Sequence, residues 1–401
     1  MGGDFCVVNG PPTRRQLLVA AGSAVVAGCT GFRADDTASL PDDEDGTTLE
    51  SVDVDAPRPR VDARNSGHVP IESGANPDRL AWSHDDSSTG VYVEPVLSDE
   101  RLFYINNNRE TVALDARSGE LLWSEHDGNA FYPFAADEQH VYTRTTGDTF
   151  LVARDVETGD AVWRSDVAIT ETAPIPYDDS VYVGGHRGTL ASLSSESGEE
   201  EWIVEVAGSI GQLAVDDSGV VAAVSGEGVE RITHEGDAVW FRSVTDPIAV
   251  TLYRDLVVVA TRNGTVVGLE GDTGDERWRY ETDADSVLST PTIVGDQIHV
   301  VDRDGVVHAV TVEGEQAWTW DTDTDGRGWN GELHNYEIAA TNDWLYVLGF
   351  DEHVHVLDPD ADSPEPVSRW DVGLATAPPL VVGDVAYLSH GSAAVRAVTL
   401  E

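Results

Sequence analysis

A glycine stands four residues ahead of a tryptophan six times in this chain: Gly119–Trp123, Gly159–Trp163, Gly198–Trp202, Gly236–Trp240, Gly274–Trp278 and Gly314–Trp318. Each pair closes the same small unit. An alternating apolar strand such as Val112 and Leu114 runs into a polar turn, glycine supplies the positive φ that a tight turn needs, and a second strand leaves carrying the tryptophan. A degenerate seventh copy ends at Trp370, where the run from Asp358 to Pro366 replaces the glycine turn. Ahead of each unit lies another apolar segment, for example Val181-Tyr182-Val183 or Leu256 to Ala260. Four short strands in a period of about forty residues is the pattern of a propeller blade.

The anchors Trp82, Trp123, Trp163, Trp202, Trp240, Trp278, Trp318 and Trp370 are separated by 41, 40, 39, 38, 38, 40 and 52 residues. Asp371 to Glu401 holds three strands without a tryptophan, and Trp82 has no strands before it. Joining the two ends solves both shortages and removes two exposed sheet edges. The expected fold is therefore all-β: an eight-bladed propeller with four-stranded blades, closed by pairing of the Trp82 strand with the carboxy-terminal strands.

The repeat Ala153-x-Asp155-x-x-Thr158-Gly159-x-x-x-Trp163, nearly matched from Ala113 to Trp123, resembles the tryptophan-docking repeat of the PQQ-like (pyrroloquinoline-quinone) propellers over residues 76–401. The resemblance implies that the tryptophans pack against neighbouring blades as structural anchors. That superfamily includes quinoprotein alcohol dehydrogenases and the non-enzymatic lipoprotein of the outer-membrane β-barrel assembly machinery, and the lipobox and blade count resemble the latter. Its enzymes hold the quinone with adjacent cysteines and a calcium-binding carboxylate set. This chain has only Cys6 and Cys29, so no cofactor is expected, and a quinoprotein dehydrogenase is the alternative reading.

Residues 13–29 read as an export signal. The Arg14-Arg15 pair resembles a twin-arginine motif, the apolar run from Leu17 to Ala27 is too short to span a bilayer, and Val26-Ala27-Gly28-Cys29 resembles a lipobox. The expected organisation is a signal over residues 1–28, lipidation at Cys29, a solvated acidic tether over residues 29–75, and the propeller over residues 76–401. The chain would then stand on the outer face of the cytoplasmic membrane, held by lipid and exposed to another envelope protein, itself a monomer.

With 73 acidic residues against 24 basic ones, the formal net charge is −49, and every basic residue is arginine. Self-repulsion on that scale is screened when salt shortens the Debye length to about 3 Å at 1 M. The composition resembles that of haloarchaeal proteins, and it excludes a basic stripe for nucleic acid.

Two patterns have the residue types for metal binding. Asp321, Asp323, Asp325, Arg327 (through its carbonyl) and Glu332 follow the alternating-acid spacing of a calcium loop, which makes Ca2+ a possible ligand and a calcium or small-ligand receptor a third reading. The same insertion carries Trp329, His334, Asn335 and Tyr336, a loop suited to a partner or ligand. His353 and His355 alternate on one strand and could share a metal, although a solvated pair on an outer strand is the simpler expectation. The remaining histidines, His299 and His308 among them, show no nucleophile or metal context.

Overall fold

The computed structural model describes residues 37–41, 48–49, 52, 55–58, 60–85, 94–126, 134–145, 150–165, 167, 172–185, 187–322, 337–349, 351, 353–373, 375, 377–390 and 394–401. The export signal, Cys29, and the insertion residues Asp323, Asp325, Arg327, Trp329, Glu332, His334, Asn335 and Tyr336 lie outside them.

Eight antiparallel sheets of four strands follow one another along the chain, each laid down from its inner to its outer strand. Blades 1 to 7 span residues 96–126, 135–164, 175–205, 210–242, 247–281, 292–321 and 338–371. Blade 8 takes its three inner strands from the carboxy terminus and its outer strand, Pro77–Asp85, from the other end of the chain, with Trp82 opposite Ala397. The ring is closed as the shortage of strands at each end requires.

Burial follows position within the blade. Middle strands are covered on both faces, as in Leu256–Thr261, where every residue is buried. Outer strands alternate, Glu200–Glu205 burying only partly at Trp202 and Val204. In blades 1 to 6 the pairing of the third and fourth strands slips by one residue just before the tryptophan. A bulge of this kind twists the strand locally, and here it turns the indole toward the next blade.

The indoles make one repeated contact. The Nε1–H of Trp82, Trp123, Trp163, Trp202, Trp240, Trp278, Trp318 and Trp370 donates to the carbonyl of Ala116, Val156, Ser195, His234, Gly271, Val312, Pro359 and Ala75. Every acceptor belongs to the next blade or, for Ala75, to the approach of the ring-closing strand. The longest of these bonds, 3.4 Å, is to the degenerate turn at Pro359.

Within blades 1, 2, 3 and 7 the ring also leans on a second-strand aromatic: Phe103 on Trp123, Tyr142 on Trp163, Tyr182 on Trp202 and Tyr346 on Trp370, with centroids 5.4 to 6.0 Å apart. In blade 6 that position is His299, which is fully buried against Trp318.

Residues 29–75 are not simply a solvated tether. Ala38–Ser39 adds a parallel fifth strand to the edge of blade 7, and Leu49, Val52, Ala56, Val61 and Val69 are buried in the propeller. The composition of the segment is that of a solvated chain, but its few apolar residues are spaced irregularly. Those five are buried against a wall already built by the blades, so no periodicity marks them.

Candidate functional site

The described part of residues 56–71 runs around the inside of the ring and touches the innermost strand of blade after blade. Ala56 pairs with Leu97 of blade 1, and the Pro57 carbonyl accepts from Ala136 N of blade 2. The carbonyls of Ala63, Arg64 and Ser66 accept from Val215 of blade 4, Leu252 of blade 5 and Ile293 of blade 6. Val69 N donates to Ala340 O of blade 7. Both ends of the run leave by first-to-second-strand turns: Asp55 accepts from Asp99 N, and Asn342 N donates to Ile71 O. The segment therefore enters and returns on one side of the ring, as a plug.

Side chains carry the plug further. Asn65 is buried, with Nδ2 donating to Leu213 O at 2.7 Å and Val250 O at 2.9 Å and Oδ1 accepting from Arg58. Arg58 also donates to Asp62 O at 2.7 Å; burial lowers its pKa to about 10, against the nearby Asp62 charge.

Arg60 reaches beyond the plug to where blades 6 and 7 begin. Its Nη1 donates to Ile338 O at 2.8 Å and lies 3.2 Å from Glu337 Oε2. Its Nη2 donates to Thr292 Oγ1 at 2.5 Å and Pro291 O at 3.2 Å. Glu337 in turn accepts from both the backbone N–H and the hydroxyl of Thr290, each at 2.8 Å. Gln212 of blade 4 donates to that same hydroxyl. Burial raises the pKa of Glu337, opposed by Arg60 and by the Thr290 hydrogen bonds. Burial likewise pushes Glu94 up to about 7, against the Arg60 charge.

The backbone of the plug is unusual at three side-chain-bearing residues: φ is 72° at Arg60, 70° at Val61 and 59° at Asn65. For β-branched Val61 this left-handed region is a genuine outlier, of the kind that surrounding structure must hold in place.

Of the residues singled out in the sequence, only part falls here. Asp321 ends the outer strand of blade 6, and the rest of its acidic loop is outside the described residues. The pair His353 and His355 departs from expectation. It lies on the third strand of blade 7 rather than an outer one, and His355 is buried. Both rings turn to Asp351, which also accepts from Arg369 at 2.6 Å, and His355 packs on Trp320 with centroids 4.9 Å apart. An arginine thus holds the carboxylate that a metal would need. Among the described residues, no group of three or more His, Cys, Asp or Glu side chains is placed to hold a metal ion.

Sequence reading missed Arg58, Arg60, Asn65, Glu94 and Glu337. A signal was present: Arg58, Arg60 and Arg64 fall within seven residues, in a chain with 24 basic residues in all.

A second feature lies on the rim. Leu121, Leu122, Val162, Ile203, Val239 and Phe241 are 43 to 52% exposed and occupy the outer strands of four consecutive blades, 1 to 4. The outer strand of blade 5 instead presents Glu276, Arg277, Arg279 and Glu281.

The PQQ_2 family, described as outer membrane protein assembly factor BamB, matches residues 42–251 and 228–401. The chain belongs to this family. Outer membrane protein assembly factor BamB of Shewanella oneidensis is 21% identical over 364 residues, covering 80% of this chain and 89% of that protein. Matches to other bacterial relatives of that name are shorter; that of Francisella tularensis, 32% identical, is spanned over 27% of its length. The crystal structure of BamB from Moraxella catarrhalis superposes with a TM-score of 0.58 at 18% identity, covering 91% of this chain and 97% of that one. Quinohemoprotein alcohol dehydrogenase from Comamonas testosteroni superposes with a TM-score of 0.66 at 13% identity, over 87% of this chain and 81% of that one. At these identities the structural likeness speaks for the fold alone.

Proposed function

We propose that this chain is a non-catalytic scaffold of the cell envelope, exported, anchored by lipid on Cys29 to the outer face of the cytoplasmic membrane, and holding another envelope protein against the rim of blades 1 to 4. The observation that carries the reading is the apolar rim. A chain of net charge −49 has every reason to cover its edge with carboxylates, yet six large apolar side chains stand exposed on adjacent outer strands. We read exposed apolar side chains repeated on neighbouring outer strands as the contact with a partner.

The family supports the same reading through the assembly-factor name of its members. The quinone of the dehydrogenase relatives does not fit the residues present. The plug lays hydrogen-bonded backbone along the innermost strands of six blades, and no cysteine follows Cys29.

The test is recovery of a stoichiometric partner from salt-washed membranes by the intact protein, and its loss with Val162→Asp and Phe241→Asp together. Recovery unaffected by the double variant removes the rim from the function. Dye-linked dehydrogenase activity that appears only with added quinone and calcium overturns the scaffold reading altogether.

A further inference from the structure

The Arg60 side chain sits in a pocket whose composition is more specific than a plug requires. Four carbonyl or hydroxyl acceptors, Ile338 O, Thr290 O, Pro291 O and Thr292 Oγ1, meet its two terminal nitrogens. The Glu337 carboxylate lies beside Nη1, itself fixed by two hydrogen bonds from Thr290. Glu94 adds a second buried carboxyl acting on the same guanidinium. The flat face of the group is covered by Gly67: a Cβ there would stand 2.1 Å from Nη2 and 2.4 Å from Cζ. The wall acceptors around the edge describe a slot for a planar cation, which an ammonium group fits poorly, and Gly67, part of the same segment as Arg60, closes the face only while the plug is docked.

We propose that the channel wall between blades 6 and 7 is a guanidinium-recognition site that Arg60 fills in cis, and that the ligand it takes in trans is an arginine-bearing peptide segment. The partner half of this proposal rests on the scaffold reading; the pocket stands on its own geometry. The rest of the plug suits an occupant that can be exchanged. It makes a single backbone-to-backbone hydrogen bond to each of blades 2, 4, 5 and 6, it carries left-handed backbone at Arg60, Val61 and Asn65, and it buries the charges of Arg58 and Arg60. Strained backbone and buried charge both reduce what the docked state gains over withdrawal. The acceptors left behind recognise the same chemistry in any chain that brings it.

The experiment uses the full chain with Arg60→Ala, in high salt. Ethylguanidinium is expected to restore at least about half of the lost Tm in a saturable manner, as a ligand bound to the native state does. Ethylammonium at equal concentration should restore none of it, and neither should raise the Tm of the parent. A peptide with the sequence of residues 56–71 is expected to bind the Arg60→Ala protein about tenfold more tightly than the same peptide with its own arginine at position 60 changed to alanine. If Arg60→Ala does not fold, Arg60→Gly, which suits the φ of 72° and also empties the slot, carries the same measurements. Equal response to the two cations overturns the pocket, and peptide binding indifferent to the arginine overturns the ligand class. Both use purified protein, so either result is separate from the membrane pull-down.

Discussion

Gly159 lies flat on the indole of Trp123, the tryptophan of the preceding blade; a Cβ there would stand 2.7 Å from Cδ2 and from Cε3. The same relation holds for Gly119 on Trp82, Gly198 on Trp163, Gly236 on Trp202, Gly274 on Trp240 and Gly314 on Trp278. The recurrent glycine is therefore required twice, for its positive φ and for the absence of a side chain where two blades meet.

Those two requirements can be separated. Gly159→Ala meets both and should cost about 2–4 kcal/mol, a left-handed alanine plus overpacking. Gly295→Ala, also at positive φ (58°) but with nothing within 4 Å of the added methyl, should cost about 1 kcal/mol. Denaturant titration in high salt reads the difference; equal costs would show that the indole contact contributes nothing.

Trp82 joins the ends of the chain through its bond to Ala116 O and its packing on Tyr387, 5.9 Å between centroids. Trp82→Phe keeps most of the apolar contact and loses the hydrogen bond, an expected loss of about 1–2 kcal/mol. Trp82→Ala should lose about 3–5 kcal/mol and open the latch. Hydrogen exchange would then accelerate first in Ala394–Leu400, the strand paired with it. Exchange that rises uniformly around the ring would refute a local latch.

Asn65 ties the plug to blades 4 and 5 at once. Asn65→Ala leaves two inner-strand carbonyls with no donor from the plug and should destabilise by about 2–4 kcal/mol. Limited proteolysis of the variant should cut within residues 56–71 before the blades; simultaneous cleavage of both would mean that plug and propeller unfold as one.

Glu94 and His299 predict opposite pH dependences. The Glu94 pKa rises from 4.5 to about 7 on folding, because burial disfavours the carboxylate. The folded state then binds more protons between those values, so this contribution is complete below pH 4.5 and is lost as pH rises through 7. Glu94→Gln should flatten the change by on the order of 2 kcal/mol between pH 5 and pH 7.5. A variant whose pH profile parallels the parent would remove Glu94 from the account.

Burial lowers His299 to about 3. Its contribution is present above pH 6.5 and is lost as pH falls toward 3. His299→Phe supplies the aromatic that Phe103 provides in blade 1 and should gain on the order of 1–2 kcal/mol at pH 5 relative to its effect at pH 8. Chemical denaturation at the two pH values decides it, and an equal effect at both would show that the imidazole does not titrate there.

The ring itself was legible in the sequence. Glycine, the turn acids and tryptophan recur at fixed spacing because each blade solves the same local problem, and a shortage of strands at each end of the chain named its own remedy. Local chemistry repeated eight times leaves a period that can be read without coordinates.

The plug left no such mark. Arg60, Asn65 and Val61 belong to no strand, and their partners Ile338, Thr292, Leu213 and Val250 are more than a hundred residues away. Whether an arginine-bearing, proline-containing segment hangs in solvent or lines a channel depends on acceptors that exist only once the blades have closed around it. Composition reports how a segment would behave alone. Only the tertiary structure supplies a wall of inner-strand hydrogen-bonding groups, and that wall, together with the burial of Ala56, Val61 and Val69 against it, offsets the cost of ordering the segment.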